Sequence, residues 1–231
     1  MKISKETLNL LKYYATINPG IIVDPGNRVF SRAINETCCT TALVKEEFPE
    51  PFAIFNLAQF LNTISFIDDP DIEFTSEKAI IQSADETQKV VYYFSSPDLV
   101  KQKNRELKTT LSEDVKFSIT ADELNRLNKA CSIMGLNDIC VFNRKGHIYI
   151  SCVNKGVKSC SAFELVVGQC PEDTPEYKVY FKKQNLKLTE NCFDVSISSR
   201  GLSTWTATDS PYDELVVYIA VETDSVFSVQ E

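Results

Sequence analysis

The residues that could do chemistry are few. The chain has a single histidine, His147, so a multi-histidine metal site is excluded and only one imidazole base exists. It follows Lys145-Gly146, a hairpin signal, and reads as a surface turn residue rather than a catalytic base. The eight cysteines are Cys38, Cys39, Cys131, Cys140, Cys152, Cys160, Cys170 and Cys192. They form no C-x-x-C pair, so zinc is not supported and buried or half-buried free thiols are the expectation. Asp68, Asp69, Asp71 and Glu73 could offer oxygen ligands, but Asp68-Asp69-Pro70-Asp71 is more simply a turn. No phosphate-cradling glycine loop or nucleophilic-serine pattern occurs among the seven glycines. Trp205 sits in the alternating stretch Leu202 to Ala207 and reads as a core strand residue. The sequence therefore predicts no catalytic residue, no cofactor and no metal.

The bulk properties fit a folded binding protein. The 231 residues are 43% hydrophobic and 24% charged, which argues against global disorder and allows one large domain or two ordinary ones. Acidic residues number 32 against 24 basic, a net charge of −8. Such a balance speaks against a simple nucleic-acid binder, which shows a basic footprint. No apolar run reaches 18 residues, and Met1 to Glu6 lead directly into an amphipathic segment. The expectation is a chain without leader or membrane span, in a reducing cytoplasm.

An internal repeat organises the chain. Ile3-Ser4-Lys5-Glu6-Thr7-Leu8-Asn9-Leu10-Leu11 resembles Ile119-Thr120-Ala121-Asp122-Glu123-Leu124-Asn125-Arg126-Leu127 at an offset of 116. Residues 27–35 resemble 146–154, residues 52–61 parallel 177–186, and Val90 to Phe94 parallel Val216 to Ala220. Each half begins with a helix, at about 4–16 and about 121–133, capped by Ser4 or Thr120. Alternating strands follow, such as Cys38 to Val44 and Ser161 to Val167, with hairpin signals at Asp24-Pro25-Gly26-Asn27 and Arg144-Lys145-Gly146. A second helix is predicted at about 56–66 and again at about 183–190, before the closing strands. The fold class is α+β: two similar domains, each with antiparallel sheets and two helices. The domains span 1–108 and 109–231, with a polar, lysine-rich connector over about 96–112.

The helices carry the basic residues. At 100° per residue, Lys5 and Lys12 lie about 20° apart, with Asn9 between them and Leu8, Leu11 and Ala15 on an apolar face. Arg126 and Lys129 lie about 60° apart, opposite Leu124, Leu127, Ala130 and Cys131. Lys183 and Lys187 share a face of the last predicted helix, next to Lys182. Against these seven cations the helical windows hold Glu6, Asp122, Glu123 and Glu190, so the excess of acid lies in the rest of the chain. Each face taken alone is an ordinary solvated helix surface. Recurrence at matching places in a repeat favours a common partner with phosphates. Phosphate contacts position without reading sequence.

The opening residues Met1 to Ile21 resemble the N-terminus of the sliding clamps of T-even-type bacteriophages, especially Leu10-Leu11-Lys12 and Ala15-Thr16-Ile17-Asn18. Ser31-Arg32-Ala33-Ile34-Asn35 and Asn185-Leu186-Lys187-Leu188 are also similar to that family, and the resemblance covers the chain end to end. It implies a DNA clamp fold and a head-to-tail homotrimeric ring around double-stranded DNA, bound without sequence preference. The implied role is non-catalytic: a processivity factor that tethers the replicative DNA polymerase and is opened by a clamp-loader ATPase. Late-transcription factors and RNA polymerase are implied as further partners, in the cytoplasm of an infected bacterium. Lys5, Lys12, Arg126, Lys129, Lys183 and Lys187 fall on helices that face DNA in the family. A pocket for partner peptides near the connector is implied for Leu99, Val100, Leu107 and Leu111. A clamp-like scaffold that never encircles DNA, or an enzyme on a duplicated α+β fold, are the competing readings. The first would not need the helix lysines; the second would need a polar cleft that the sequence does not show.

Overall fold

The computed structural model describes residues 1–102, 111–157 and 161–227. The chain divides into two units, Met1–Leu107 with Pro211–Leu215, and Lys108–Ser210 with Val216–Glu231. The first unit contains helix α1 (Lys5–Ile17), strands β1 (Ile21–Val23), β2 (Gly26–Arg32), β3 (Cys38–Phe48) and β4 (Phe52–Ile54), helix α2 (Leu57–Ser65), and strands β5 (Asp71–Phe74), β6 (Lys78–Gln82) and β7 (Lys89–Tyr93). In the second lie β8 (Val115–Ile119), α3 (Ala121–Met134), β9 (Asp138–Arg144), β10 (His147–Val153), β11 (Phe163–Gln169), β12 (Tyr177–Lys182), β13 (Phe193–Ser198) and β14 (Leu202–Ala207). Strand β15 (Asp213–Ala220) pairs with β14 through Val216 to Ala220, and β16 (Val226–Phe227) ends the description. The α+β class expected from the sequence is what folds.

Local chemistry explains why the helices start where they do. Ser4 is extended and accepts the Thr7 amide, a side-chain cap. Thr120 and Glu123 form a full capping box, and Gly135 ends α3 in the left-handed region at φ 65°. The buried face of α1 is Thr7, Leu10, Leu11, Tyr14 and Ile17. Leu8 and Ala15, expected on that face, are only half-buried at its margin. Thr7 is tolerated inside because its hydroxyl donates to Glu46 on β3, which also accepts the Ser4 amide. Half-burial pushes the Glu46 carboxyl up, but the bonds from Thr7 and Ser4 outweigh it and hold the group below the usual carboxylate range.

Several sequence expectations are corrected by the fold. No helix spans 183–190; a single 3-10 turn, Lys183–Asn185, stands there, so Lys183 and Lys187 share no helical face. Lys182 offers no side-chain cap, and lysines open the segment where a helix N-terminus favours acid. Asp24 to Asn27 is not a hairpin: it leads from β1 to β2, but β1 pairs with β4. The hairpin at Lys145-Gly146 does form, with positive φ at both residues as a type I′ turn demands. Cys131 and Cys152 are joined as a disulfide rather than free, whereas Cys38, Cys39, Cys140, Cys170 and Cys192 are free thiols. Cys160 lies outside the described residues. Asp68 to Pro70 is a loop between α2 and β5, and Asp69 pairs with Lys2.

Each unit has its own aromatic core. Phe48, Phe52, Phe74 and Phe94 stack in the first. In the second, Trp205 is fully buried, as expected, among the rings of Phe117, Phe181 and Phe193, and its Nε1 donates to Ser203 Oγ at 2.9 Å. The start of the connector is pinned to the first unit. Val100 packs on Gly20, where a Cβ would come within 3.0 Å of its Cγ1. Asn18 Nδ2 donates to the Lys101 carbonyl at 3.1 Å, and Gln102 Nε2 donates to the carbonyls of Ile22 and Phe30.

Two stability measurements check these anchors. Glu46 titrates lower in the folded than in the unfolded chain. Its contribution is therefore whole above the ordinary carboxylate range and is lost as pH falls through the folded value. Glu46→Gln should cost about 1 kcal/mol at neutral pH, the low end for a half-exposed charged acceptor, and flatten the acid limb of urea-unfolding midpoints below about pH 4. An acid limb identical to that of the unaltered chain would remove Glu46 from that role. Val100→Asp should cost about 3 kcal/mol by burying a carboxylate, while Leu99→Asp, at an exposed neighbour, should stay within about 0.5 kcal/mol. Equal losses in urea titrations would mean that Val100 is not the anchor.

Candidate nucleic-acid interface

A helix lying on a sheet turns its opposite stripe to solvent, and that stripe decides what it can bind. On α1 the stripe is Lys5, Asn9, Lys12 and Thr16, all exposed. On α3 it is Asp122, Arg126, Lys129 and Ile133, also exposed. The exposed face of α2 (Ala58, Gln59, Asn62 and Ser65) carries no charge.

The partners of the cations separate two populations. Lys2, Arg28, Arg32, Lys45, Lys116, Arg144, Lys155 and Lys182 each lie against a carboxylate. Lys5, Lys12, Arg126 and Lys129 have no carboxylate partner among the described residues. Even Glu6, beside Lys5 in sequence, is turned away and lies 3.7 Å from Lys45. Among the described residues no carboxylate neutralises the four helix cations, which leaves them available to an anion.

Lys183 is half-buried, and its Nζ donates to Ser132 Oγ at 2.8 Å, so it sits against the C-terminal part of α3. The sequence could not place it, because the predicted helix is absent. Lys187 is exposed after the 3-10 turn. Lys182, counted with the same cluster, is spent on Asp138 at 2.6 Å; that hydrogen bond and the charge of Asp138 push its ammonium up.

The residues expected to form a peptide pocket are not alike. Leu99 is 61% exposed, whereas Val100 is 6% exposed and serves as an anchor. Leu111, half-buried, lines a shallow groove of about 500 Å³ in the second unit with Lys116, Ser118, Asp194, Thr204 and Thr206. Leu107 lies outside the described residues. Among the described residues no group of three or more His, Cys, Asp or Glu side chains is arranged to hold a metal, and no helix is long and apolar enough to cross a membrane.

Comparison with known proteins adds to this geometry. Residues 116–222 match the family described as gp45 sliding clamp, C terminal. The sliding clamp of Vibrio phage KVP40 is 29% identical over 207 residues, covering 88% of this chain and 93% of the relative. That of Enterobacteria phage T4 is 25% identical over 228 residues, covering 97% and 98%. The sliding clamp of Escherichia phage RB69 is 28% identical over 156 residues, 67% of this chain and 68% of the relative. Among solved structures, the proliferating cellular nuclear antigen of Entamoeba histolytica superposes with a TM-score of 0.66 at 13% identity, covering 94% of this chain and 95% of that one. The PCNA2–PCNA3 complex of Sulfolobus tokodaii gives a TM-score of 0.66 at 12% identity, covering 96% and 99%. Those two likenesses speak to the fold, which is the clamp fold expected from the sequence. Residues 116–222 thus match the gp45 sliding-clamp C-terminal family, and the chain is similar over most of its length to the sliding clamps of phages KVP40 and T4.

Proposed function

We propose that the chain is one subunit of a homotrimeric ring that encircles duplex DNA and tethers the replicative polymerase. The observation that carries this reading is the set of helix cations without carboxylate partners among the described residues, in a chain of net charge −8. Lys5, Lys12, Arg126 and Lys129 face phosphate, and Lys183 and Lys187 extend that surface from the end of α3. Phosphate contacts carry no sequence information and weaken with salt, which is what a sliding surface requires. Acid elsewhere discourages DNA from the remaining surface. Retention then comes from topological linkage rather than from affinity.

Ring closure has candidate surfaces on both units. Strands β7 and β11 each pair along one edge only among the described residues. Strand β7 packs against α2, whose C-cap is Phe66, 76% exposed. Strand β11 packs against α3, which ends in Ile133, 75% exposed, and Met134. Pairing β7 of one copy with β11 of the next satisfies both edges and covers both apolar ends. The contact is head-to-tail and closes after three steps.

In this reading the domains are 1–108 and 109–231, joined by a connector over about 96–112. Leu99 and Leu111 remain accessible there for partner peptides. A clamp-loader ATPase opens the ring, late-transcription factors and RNA polymerase use it too, and the chain itself has no catalytic activity. It works in the cytoplasm of the infected bacterium.

Primer extension on circular DNA, with polymerase, loader and ATP, tests the reading. Products should lengthen when the protein is present. Alanine at Lys5, Lys12, Arg126 and Lys129 together should shorten them and reduce the salt slope of DNA binding by about one for each cation removed. Undiminished extension by that variant would favour the scaffold that never encircles DNA. The closure surface is checked by mass in solution. Phe66→Asp and Ile133→Asp should each yield monomer at concentrations where the unaltered chain is a trimer, and persistence of the trimer in both would sink this interface.

A further inference from the structure

Nothing in the DNA-facing surface accounts for the cysteines, yet two of them meet beneath it. Cys131 lies on the buried face of α3, and Cys152 lies on β10. They are joined as a disulfide with 5.6 Å between their Cα atoms, a separation within the range such a bond spans. Both side chains are fully buried.

The bond joins a helix to its sheet where other attachment is sparse. Helix α1 is held by five buried residues and by the Glu46 bonds to its first turn. Helix α3 buries three residues, Leu124, Leu127 and Cys131, so one third of its buried attachment is a cysteine. Its capping box and Gly135 secure the helix to itself, not to the sheet. The reduced state is also accommodated. The Leu127 carbonyl oxygen lies 3.2 Å from Cys152 Sγ, so a thiol there has an acceptor in place.

We propose that Cys131 and Cys152 form a reversible redox staple that sets how firmly α3, with Arg126 and Lys129, is held on its sheet. Oxidation takes one proton and one electron from each thiol and forms the S–S bond. Hydrogen peroxide accepts the two electrons and two protons and leaves as two waters. A dithiol reverses the step: it delivers two electrons and two protons, restores both thiols and becomes a disulfide itself. Full burial favours a small oxidant over exchange with a bulky disulfide, and reduction by a dithiol proceeds through local opening of the helix that exposes a sulfur. The cross-link, over a sequence separation of 21, also restricts the unfolded chain. Only its consequence for DNA rests on the clamp reading; the staple itself does not.

The test uses the full chain without DNA, reduced with dithiothreitol or treated with hydrogen peroxide. Each sample is then unfolded, alkylated with iodoacetamide and mapped by mass spectrometry. Peroxide should protect Cys131 and Cys152 from alkylation together, and dithiothreitol should restore both. Hydrogen exchange on the folded forms should show α3 amides about tenfold slower when oxidised, with α1 amides unchanged. A Cys131→Ala, Cys152→Ala double variant should lose the redox dependence of α3; the unaltered chain alone suffices if that variant does not fold. Alkylation at both positions regardless of peroxide would overturn the staple. Protection with equal α3 exchange in the two forms would overturn its control of the helix.

Discussion

A helix packed on a sheet has one stripe that must be apolar and one that cannot be, and the cationic surface of this chain follows from that division. On α1 the inward stripe is Thr7, Leu10, Leu11, Tyr14 and Ile17, which leaves Lys5, Asn9, Lys12 and Thr16 outward. Burying each large apolar side chain contributes about 1.5–3 kcal/mol, and leaving a lysine in water costs nothing. Rotation by one residue, about 100°, would exchange those terms. Glu46 reinforces the chosen rotation, because Ser4 and Thr7 can reach its carboxylate from only one side of the helix. The cationic stripe is thus set by what the opposite face must bury.

The same division resolves the apparent conflict between an acidic chain and a polyanionic partner. Exposed charges are screened beyond roughly 8–10 Å in physiological salt, so a distant acidic excess is scarcely felt at a helix face. What matters there is whether a cation already has a carboxylate beside it. Lys45 takes Glu6, Lys182 takes Asp138 and Lys155 takes Asp224, while Lys12, Arg126 and Lys129 take none among the described residues. Pairing thus separates structural cations from available ones, which net charge does not. Four such cations make a weak phosphate surface, and weakness is compatible with motion along a duplex.

Much of this was legible in the sequence where the signal is local. Ser4, Thr120 and Glu123 mark helix starts because a cap is made within four residues, and Lys145-Gly146 marks a hairpin because both positions need positive φ. The features that escaped depend on partners far along the chain. Strand β1 pairs with β4, about 30 residues away, so the turn after it looked like a hairpin and is not. The segment after β12 has the apolar spacing of a helix but no cap, and it closes into one 3-10 turn. Lys183 meets Ser132 and Cys131 meets Cys152 only once α3 is packed. The lysines of α1 could be read from periodicity alone; the placement of Lys183 could not.

The repeat itself shows why burial is a better ruler than similarity. The caps Ser4 and Thr120 are 116 residues apart, and the sequence likeness follows that offset, setting Lys12 against Asn128. The buried positions follow 117 instead: Thr7 with Leu124, Leu10 with Leu127, Tyr14 with Cys131. On a helix that single residue is about 100°, enough to move a side chain from one face to the next. At 117, Lys12 coincides with Lys129 and Asn9 with Arg126, so both units present a basic residue at the same point of the exposed stripe. Thr16 coincides with Ile133, and there the units differ: one stripe ends polar and the other ends in an exposed apolar side chain. Lys5 coincides with Asp122, so the two stripes share one basic position, Lys12 with Lys129, and differ at the others. They differ again at the end of the helix, where Thr16 is polar and Ile133 is an exposed apolar side chain.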